Sequence, residues 1–456
     1  MKLLSKKSTL KIASRWRGLK MGIYILVTLF TLQANAQKIL TKKEALKIAL
    51  ENNYGIKLAN NNVEIAKNNS SIYNSRMLPT VSGLAGANYD NSNQDIVRQD
   101  SVSTNVIING AETKTYNASI NLNYTLFDGL GRKYNYKQLK ETYNLTELQA
   151  RETIENTYLQ LFTVYFQIAR LTENTQNLKE TLEISKQRLQ RAQYQYEYGQ
   201  STKLELLNAE VDVNNDSINF LNTKQQFLNT KRDLNIILGV NQEPNYEVET
   251  EVNFTPLLSF EELLLKVTNN NVILKQNEKN IMISEYGIKA SKGGYLPSIG
   301  LTSSYGWNKS ENPSTSFLAS SLSNGLRAGI NLSWNIFDGG NTKTKVSNAK
   351  IALENQEILQ QQQKETLENT LKNTWEEYHT KLYILSAQEQ NVITTQNNFD
   401  RTQERYKLGQ VTSIEFRQAQ INLLNTQTAS NNAKYDAKLI ELELLQLSGQ
   451  LLDVEF

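Results

Sequence analysis

Side chains able to do chemistry are few in this chain of 456 residues. Glu205 and Glu415 each follow a glycine by six positions, in the first turn of a predicted helix, where a carboxylate complements the helix dipole. The single histidine, His379, lies near Trp375 and Tyr378 without a second metal ligand nearby, which predicts a packing or surface role. Because no phosphate loop, HExxH pair or nucleophile elbow is present, the sequence predicts neither an enzyme nor a bound cofactor or metal.

The segments that must position the two glutamates occur twice. Most matching motifs lie 210 positions apart (337 − 127), whereas the earliest pair lies 218 apart (296 − 78). The motifs are Leu78-Pro79 with Leu296-Pro297, Phe127-Asp128-Gly129 with Phe337-Asp338-Gly339, and Tyr196-x-x-Gly199 with Tyr406-x-x-Gly409. The difference between the two shifts indicates one longer loop in the first copy. The sequence therefore predicts two copies of a helix, a hairpin and a pair of long helices.

Long stretches without glycine or proline predict long helices. Four such runs are present, at 132–198, 200–238, 341–408 and 410–448. At about 1.5 Å per residue, the longer runs correspond to helices of roughly 100 Å. Their apolar residues recur at three- and four-residue steps, which indicates coiled-coil-like packing of helix on helix. Shorter helical patterns at 41–77 and 260–290 open the two copies and end at the Leu-Pro pairs.

Four segments alternate apolar and polar residues and predict β-strands. Their apolar positions run from Val81 to Tyr89, from Tyr116 to Leu126, from Ile299 to Trp307 and from Ala328 to Ile336. Strands of about 10 residues with one apolar face are typical of transmembrane β-barrels. Because four strands do not close a useful barrel and lipid does not tolerate open edges, several chains must close it together. Three chains would supply twelve strands.

Aspartate and glycine mark the predicted turns. In each Phe-Asp-Gly motif, Asp128 or Asp338 is expected to cap the following helix, and the glycine permits the bend. Gly199 and Gly409 interrupt the long helices and predict tight reversals. Between the copies, the alternation of apolar or small with polar residues from Glu247 to Phe254 predicts one short solvent-edge strand. The predicted organisation is a first repeat at 37–238, a linker at 239–258 and a second repeat at 259–456.

The N-terminus predicts an export signal at residues 1–36. Basic residues precede an apolar run from Met21 to Leu32, and small residues then offer a cleavage site before Gln37. An uncleaved anchor is the alternative, although the run is short for a membrane-spanning helix. Seven basic and no acidic residues lie in the signal, so the mature chain has 42 basic (49 − 7) against 46 acidic residues. This balance gives no reason to expect nucleic-acid binding.

The duplicated order of these motifs resembles the TolC family of outer-membrane efflux channels, from roughly Leu40 to Leu451. The resemblance implies a mainly helical homotrimer, with a twelve-stranded β-barrel in outer-membrane lipid and a helical barrel in the periplasm. It implies two partners, a periplasmic adaptor protein and an inner-membrane pump of the RND, ABC or MFS type. The chain has no cysteine that could carry a lipid, and in this respect it resembles the unlipidated branch of the family.

The resemblance also implies roles for the helix turns. The implied adaptor-docking tips are formed by Tyr196, Gly199, Tyr406 and Gly409. In well-studied members, acids six and nine positions after the second glycine form constriction rings. The corresponding aperture residues here are Glu205 and Asn208 in the first copy and Glu415 and Gln418 in the second. Because Gln418 is uncharged, the second acidic ring is not expected. The glutamates have two open interpretations, as an aperture ring or as ordinary first-turn acids.

Two functions from different classes remain as hypotheses. The leading one is the passive exit duct of a tripartite efflux or type I secretion system. The alternative is a trimeric coiled-coil structural or adhesive surface protein, anchored by a small β-barrel. Such a fibre does not need helices that double back at Gly199 and Gly409, nor hairpins more than 200 residues apart. Ion conductance in planar bilayers distinguishes the duct from the fibre.

Overall fold

The computed structural model describes residues 38–97, 106–241, 243, 245–256, 259–314 and 316–453. The predicted signal at 1–36 and the predicted mature start at Gln37 lie outside the described residues.

Within the described residues the two halves of the chain repeat one order of elements: a short strand, two short helices, two long strands and two long helices. The helices are α1 Lys42–Asn52, α2 Tyr54–Asn69, α3 Gly131–Glu197, α4 Lys203–Leu238, α5 Phe260–Asn270, α6 Val272–Ser291, α7 Asn341–Lys407 and α8 Ser413–Leu447. The strands are β1 Lys38–Leu40, β2 Thr80–Ile96, β3 Val106–Asp128, β4 Tyr246–Val248, β5 Ser298–Glu311 and β6 Ser320–Ser333.

The four long helices confirm the prediction from the glycine-free and proline-free runs. Helices α3 and α7 each contain 67 residues, and α4 and α8 contain 36 and 35. Within each repeat the two long helices pack against each other, and α3 also packs against α8. The predicted fold class, long packed helices with a smaller β part, is therefore confirmed. Among the described residues, no helix combines the length and the apolarity needed to cross a membrane.

Each of the short helices predicted before a Leu-Pro pair is divided in two, which corrects the sequence prediction. The breaks fall at Asn53 and Asn271, whose backbones are extended. The Asn53 side-chain oxygen accepts from the backbone N–H of Ile56 at 3.1 Å, so it caps α2. Its amide donates to the Ile237 carbonyl at 2.8 Å, and Asn271 makes the same contact with the Leu447 carbonyl at 2.9 Å. Asparagine therefore ends one helix, begins the next and ties both to a long helix.

Strands β2, β3, β5 and β6 form one antiparallel sheet in that order, so β2 and β6 are its edges. Thr80 pairs with Asn123, and Ser298 pairs with both Asp128 and Ser333. The first two strands contain 17 and 23 residues and are longer than predicted. The fourth is predicted to reach Ile336 but ends at Ser333, because no residue after Ser333 pairs with β5.

The strand predicted in the linker is shorter and more buried than expected. It contains three residues and pairs in parallel with β1, which the sequence did not predict. Val248 is only 6% exposed, so the predicted solvent-edge position is wrong. The Tyr165 hydroxyl donates to the Leu40 carbonyl at 2.7 Å and accepts from the Glu249 N–H at 2.9 Å. One buried tyrosine of α3 thus holds both short strands against the helices.

The apolar core lies around the middle of the long helices, and the repeats bury equivalent positions. Leu161 of α3 and Leu234 of α4 are fully buried in one cluster. Leu371 of α7 and Leu444 of α8, their equivalents in the second repeat, are fully buried in another. The two clusters fix the long helices side by side and leave the helix turns at one end of the molecule and the sheet at the other.

Candidate functional site

Each reversal between long helices turns on a glycine in the left-handed region. Gly199 has φ of 70° and Gly409 has φ of 73°. The Gly199 N–H donates to the Tyr196 carbonyl, and the Gly409 N–H donates to the Tyr406 carbonyl, both at 3.0 Å. A Cβ built on either glycine would meet no heavy atom within 4 Å. Both positions therefore need glycine for its backbone conformation and not for close packing.

The two glutamates after these glycines take part in helix capping. Thr412 precedes α8, and its N–H and hydroxyl donate to Glu415 Oε2 at 2.7 and 2.9 Å. The Glu415 N–H donates back to the Thr412 hydroxyl at 3.2 Å, which completes a capping box. The Thr412 N–H, followed by its hydroxyl, lowers the pKa of Glu415. At the start of α4 the Thr202 hydroxyl accepts from the Glu205 N–H at 3.4 Å, whereas the Glu205 carboxylate accepts from the Ser201 hydroxyl, so the reciprocal bond of the box is not formed by Thr202. Both glutamates are nevertheless exposed.

Three of the four predicted aperture residues line one cleft between the starts of α4 and α8. The cleft has a volume of about 430 Å³, and its walls include Glu205, Asn208 and Gln418. Gln418 donates from Nε2 to the side-chain oxygen of Asn422 at 2.8 Å. Glu415 is not part of the wall, because its carboxylate is directed to the cap of its own helix. The two glutamates of one chain therefore face different surroundings.

Beneath this cleft lies a buried polar network that the sequence analysis missed. Arg417 donates two hydrogen bonds to the Asp216 carboxylate, at 2.7 and 2.8 Å. The Ser185 hydroxyl donates to the same carboxylate at 2.6 Å. Gln420 donates from Nε2 to the Thr181 carbonyl at 2.8 Å. Ser185, Asp216 and Gln420 are at most 2% exposed. The network therefore joins α3, α4 and α8 through polar side chains.

A second arginine lies beside this network and is less well satisfied. Arg188 pairs with Asp212, and the side chain of Arg188 is only 1% exposed. Burial lowers the pKa of Arg188, and the nearby Arg417 acts in the same direction. Nε and Nη1 of Arg188 find no hydrogen-bond partner within the part of the chain that the structure describes. Polar contacts thus contribute to joining the ends of the helix pairs, and in such a buried network a side chain left without its partner is costly.

The two tyrosines of the repeated turn motif have different surroundings. Tyr406 stacks on Phe416 with ring centroids 4.7 Å apart and an interplanar angle of 11°. The Arg191 guanidinium lies 4.7 Å from the centroid of the same Tyr406 ring. Tyr196 makes no such stack among the described residues and is 42% exposed. The second turn is therefore pinned to α3, whereas the first presents its tyrosine to solvent.

The strand-to-helix turns at the opposite end contain the Phe-Asp-Gly motifs. Asp128 accepts from the Arg132 N–H at 2.9 Å, and Asp338 accepts from the Thr342 N–H at 2.8 Å. Gly129 and Gly339 have φ of 69° and 68°. Phe127 lies within β3, and Phe337 follows the end of β6. The Leu-Pro pairs stand directly before β2 and β5, and their members are Leu78, Pro79, Leu296 and Pro297.

His379 lies on the surface of α7, and its ring centroid is 4.3 Å from that of Trp375. Across the described ranges, no group of three or more His, Cys, Asp or Glu side chains is arranged to hold a metal ion.

The duplicated architecture matches a known family model. The model of the outer membrane efflux protein family matches residues 45–240 and again residues 263–450. The two matches include most of the chain and follow the two repeats. The chain belongs to the outer membrane efflux protein family. Its members are efflux channels of the outer membrane with a helical part in the periplasm, so this protein is a channel and not an enzyme.

Curated relatives of this outer membrane efflux protein are distant in sequence. Outer membrane efflux protein BepC of Brucella suis is 21% identical over 440 residues, which cover 93% of this chain and 88% of BepC. Outer membrane protein TolC of Vibrio cholerae is 24% identical over 197 residues, or 42% of this chain. That match spans less than half of the V. cholerae protein, 44% of its length.

Solved structures show the same fold for the efflux protein. The Campylobacter jejuni CmeC outer membrane channel has a TM-score of 0.77 at 18% identity, covering 90% of this chain and 86% of CmeC. The outer membrane protein VceC of Vibrio cholerae has a TM-score of 0.69 at 13% identity, covering 90% of this chain and 96% of VceC. The recognition of a TolC-like channel from the sequence motifs is therefore confirmed.

Proposed function

We propose that the protein is a homotrimeric, passive exit duct that works in a tripartite efflux or secretion system. The observation that carries this proposal is the sheet with two unpaired edges, β2 and β6, in a chain of an outer-membrane family. In lipid, each unpaired backbone group costs several kcal/mol, so the edges must be covered. Three copies of a four-stranded sheet make a twelve-stranded barrel with an open lumen.

The long helices extend this duct through the periplasm. Helices of 67 residues correspond to roughly 100 Å at about 1.5 Å per residue. Exposed apolar residues along α4 support contact with other copies: Leu204, Leu207, Val211, Ile218 and Leu221. Their spacing of three, four or seven positions is that of a helix-packing stripe. Copies packed side by side along these helices would therefore form a helical barrel that continues from the β-barrel.

The helix turns are the proposed docking surface for a periplasmic adaptor, which connects the duct to an inner-membrane pump. Large apolar side chains at the turns are exposed: Tyr198 is 79% exposed, Leu408 71% and Ile414 74%. Exposed apolar groups clustered at one end of a molecule favour a protein partner. The left-handed Gly199 and Gly409 keep both turns tight enough to present these side chains.

Native mass and conductance test the proposed duct. We expect the detergent-solubilised protein to have the mass of three chains and to conduct ions in planar bilayers. In a strain that depends on this channel for drug resistance, its deletion should restore susceptibility and the intact gene should reverse that effect. A stable monomer would exclude the twelve-stranded barrel. A trimer without conductance would favour the adhesive or structural fibre.

Selectivity tests the proposed aperture. Three copies of Glu205 and Glu415 would place carboxylates around one axis, which attracts cations. Glutamine at the same position of a capping box still accepts the cap hydrogen bond, so Glu415→Gln removes charge and retains the helix start. We expect Glu205→Gln/Glu415→Gln to lower the cation-to-anion permeability ratio by about two- to tenfold. Reversal potentials in asymmetric salt measure this ratio.

Glu389→Gln serves as the control for this selectivity measurement, because Glu389 is exposed on α7 at a distance from the turn. The control should retain the wild-type ratio. A double variant with wild-type selectivity would mean that the two turn glutamates act only as helix caps.

A further inference from the structure

We propose the register by which neighbouring copies join: β6 of one copy pairs antiparallel with β2 of the next, with Ile330 opposite Ala87 and Arg327 opposite Asp90. This register presupposes the proposed homotrimer and adds the residue-by-residue geometry of its interface.

The internal repeat supplies the first step, because strand pairing follows the sequence shifts without an offset. Thr80 pairs with Asn123 in the first hairpin. Their equivalents, 218 and 210 positions later, are Ser298 and Ser333, and these two residues pair in the second hairpin. The two hairpins are therefore the same unit in the same register. A junction that joins them once within a chain can join them again between chains.

The junction within the chain is the pairing of β3 with β5. There Ile120 lies opposite Tyr305. In the other repeat, the equivalent of Ile120 is Ile330 of β6 (120 + 210), and the equivalent of Tyr305 is Ala87 of β2 (305 − 218). Since β6 and β2 are the two edges of the sheet, both strands have a free side for this second junction. A ring of three chains then alternates the two kinds of junction around the barrel.

Charge complementarity supports this register. The same shifts place Arg327 of β6 opposite Asp90 of β2 in the next copy. Both side chains are exposed, and neither makes an ion pair within the described residues of a single chain. Opposite charges on directly facing residues stabilise a strand pair, whereas like charges destabilise it. A register slip of one residue would send the two side chains to opposite faces of the sheet.

The proposed pairing also explains why β6 ends early, since a single chain does not supply the β2 of the next copy. Strand β3 continues to Asp128 because β5 pairs with its last residues. The equivalent residues after Ser333 have no such partner in one chain, and they are not a strand. Trp334, Ile336 and Phe337 are 54%, 84% and 86% exposed. Pairing with the start of the next copy's β2 would extend β6 and cover this segment, as the sequence alternation predicts.

The short helices next to the sheet give an independent observation. Within a chain, α3 meets α6 through stacked rings of Tyr134 and Tyr286 and through polar contacts. Lys279 pairs with Glu141 at 3.1 Å, and Gln276 donates to the Leu148 carbonyl at 3.4 Å. The equivalent of Gln276 is Leu58 of α2 (276 − 218), and the equivalent of Leu148 is Ile358 of α7 (148 + 210). The proposed junction between copies therefore places Leu58 against Ile358. These two apolar side chains are 65% and 59% exposed in one chain.

The apolar match continues along the same two helices. Ile65 of α2 and Ile351 of α7 are 58% and 52% exposed. Within the chain, Gln138 of α3 donates to the Ile283 carbonyl of α6 at 3.0 Å. Ile65 is the equivalent of Ile283 (283 − 218), and Asn348 is the equivalent of Gln138 (138 + 210). Ile65 is therefore placed near Asn348, which lies one helical turn from Ile351. Apolar side chains that are exposed in one chain are thus aligned with each other at the proposed interface between copies.

Cysteine crosslinking tests the register, since the natural chain contains no cysteine. Directly paired strand residues have Cα atoms about 4.5–5.5 Å apart, which a disulfide can bridge. Under oxidation, Ala87→Cys/Ile330→Cys should link neighbouring copies and give covalent dimers and trimers on a denaturing gel. Ala87→Cys/Leu332→Cys, shifted by two residues on the same face, should crosslink about tenfold less. Ile120→Cys/Tyr305→Cys should oxidise within the chain and give monomers.

Charge exchange provides the second measurement. Arg327→Asp should lower the temperature at which the trimer dissociates, and Arg327→Asp/Asp90→Arg should restore it. If the protein is a trimer by mass but the pair shifted by two residues crosslinks instead, the register is wrong and the proposed duct stands. If crosslinks form at neither pair although native mass gives a trimer, the edges do not pair as proposed. A monomer by native mass would reject the duct itself.

Discussion

Replacing Gly239 with alanine is expected to destabilise the protein far more than replacing Gly199 with alanine, although both glycines follow a long helix in the same conformation. Gly239 has φ of 67° and Gly199 has φ of 70°. A Cβ on Gly239 would lie 2.7 Å from the Asn52 carbonyl carbon and closer still to its oxygen, whereas a Cβ on Gly199 would meet open space. Only the first substitution therefore adds a collision with backbone.

The expected magnitudes follow from these two costs. The left-handed conformation costs alanine about 1–2 kcal/mol at either site. Forcing an extra carbon against fixed backbone adds about 1–3 kcal/mol at Gly239. We expect the thermal midpoint of the helical circular dichroism signal to fall by about 5 °C or more for Gly239→Ala, and by less for Gly199→Ala. Equal shifts for the two variants would contradict the close approach of α4 to the end of α1.

The second repeat offers a replicate of this comparison. Gly449 has φ of 69°, and its Cβ would lie 2.7 Å from the Asn270 carbonyl oxygen. Gly409 is as open as Gly199. Gly449→Ala should therefore be more harmful than Gly409→Ala. Both tight joints lie beside an asparagine that ties a short helix to a long one, so the joint is part of the repeated unit.

The long helices could be predicted from the sequence because glycine and proline are absent inside them. The breaks at Asn53 and Asn271 could not, because asparagine is tolerated within a helix as well as at its cap. What decides between these two states is a distant acceptor, the carbonyl of Ile237 or Leu447. Sequence periodicity carries no information on such a partner. The pairing of β4 with β1 was missed for the same reason.

The helix turns could be predicted from Gly199 and Gly409, because a glycine between two long helical runs commonly marks the end of the first helix. The buried network between the helices was not found. Arg417 and Asp216 lie on helices whose exposed faces are also rich in polar residues, so no contrast between apolar and polar positions marked them. Only the packing of α3, α4 and α8 shows that these two charges are enclosed.

Asp216→Ala is expected to loosen the packing of α8 on α4 near the helix turns. The Asp216 side chain is 3% exposed and that of Arg417 14% exposed, so removal of the carboxylate leaves a buried charge without its main partner. Breaking a buried pair from one side costs about 3–5 kcal/mol. We expect amide hydrogen exchange in the first turns of α8 and in α4 around Asp216 to rise by roughly a hundredfold. Asp233→Ala, at an exposed aspartate of α4, should leave exchange unchanged.

A double substitution separates the cost of an unpaired charge from the value of the pair. Replacing both members with apolar residues of similar size is often neutral, because no charge then remains in the interior. Asp216→Leu/Arg417→Met should therefore recover much of the protection that Asp216→Ala loses. If the double variant is as loose as the single one, the hydrogen bonds of Ser185 and Gln420 to this pair hold the helices together. Wild-type exchange in Asp216→Ala would mean that the network contributes nothing to the packing of the turns.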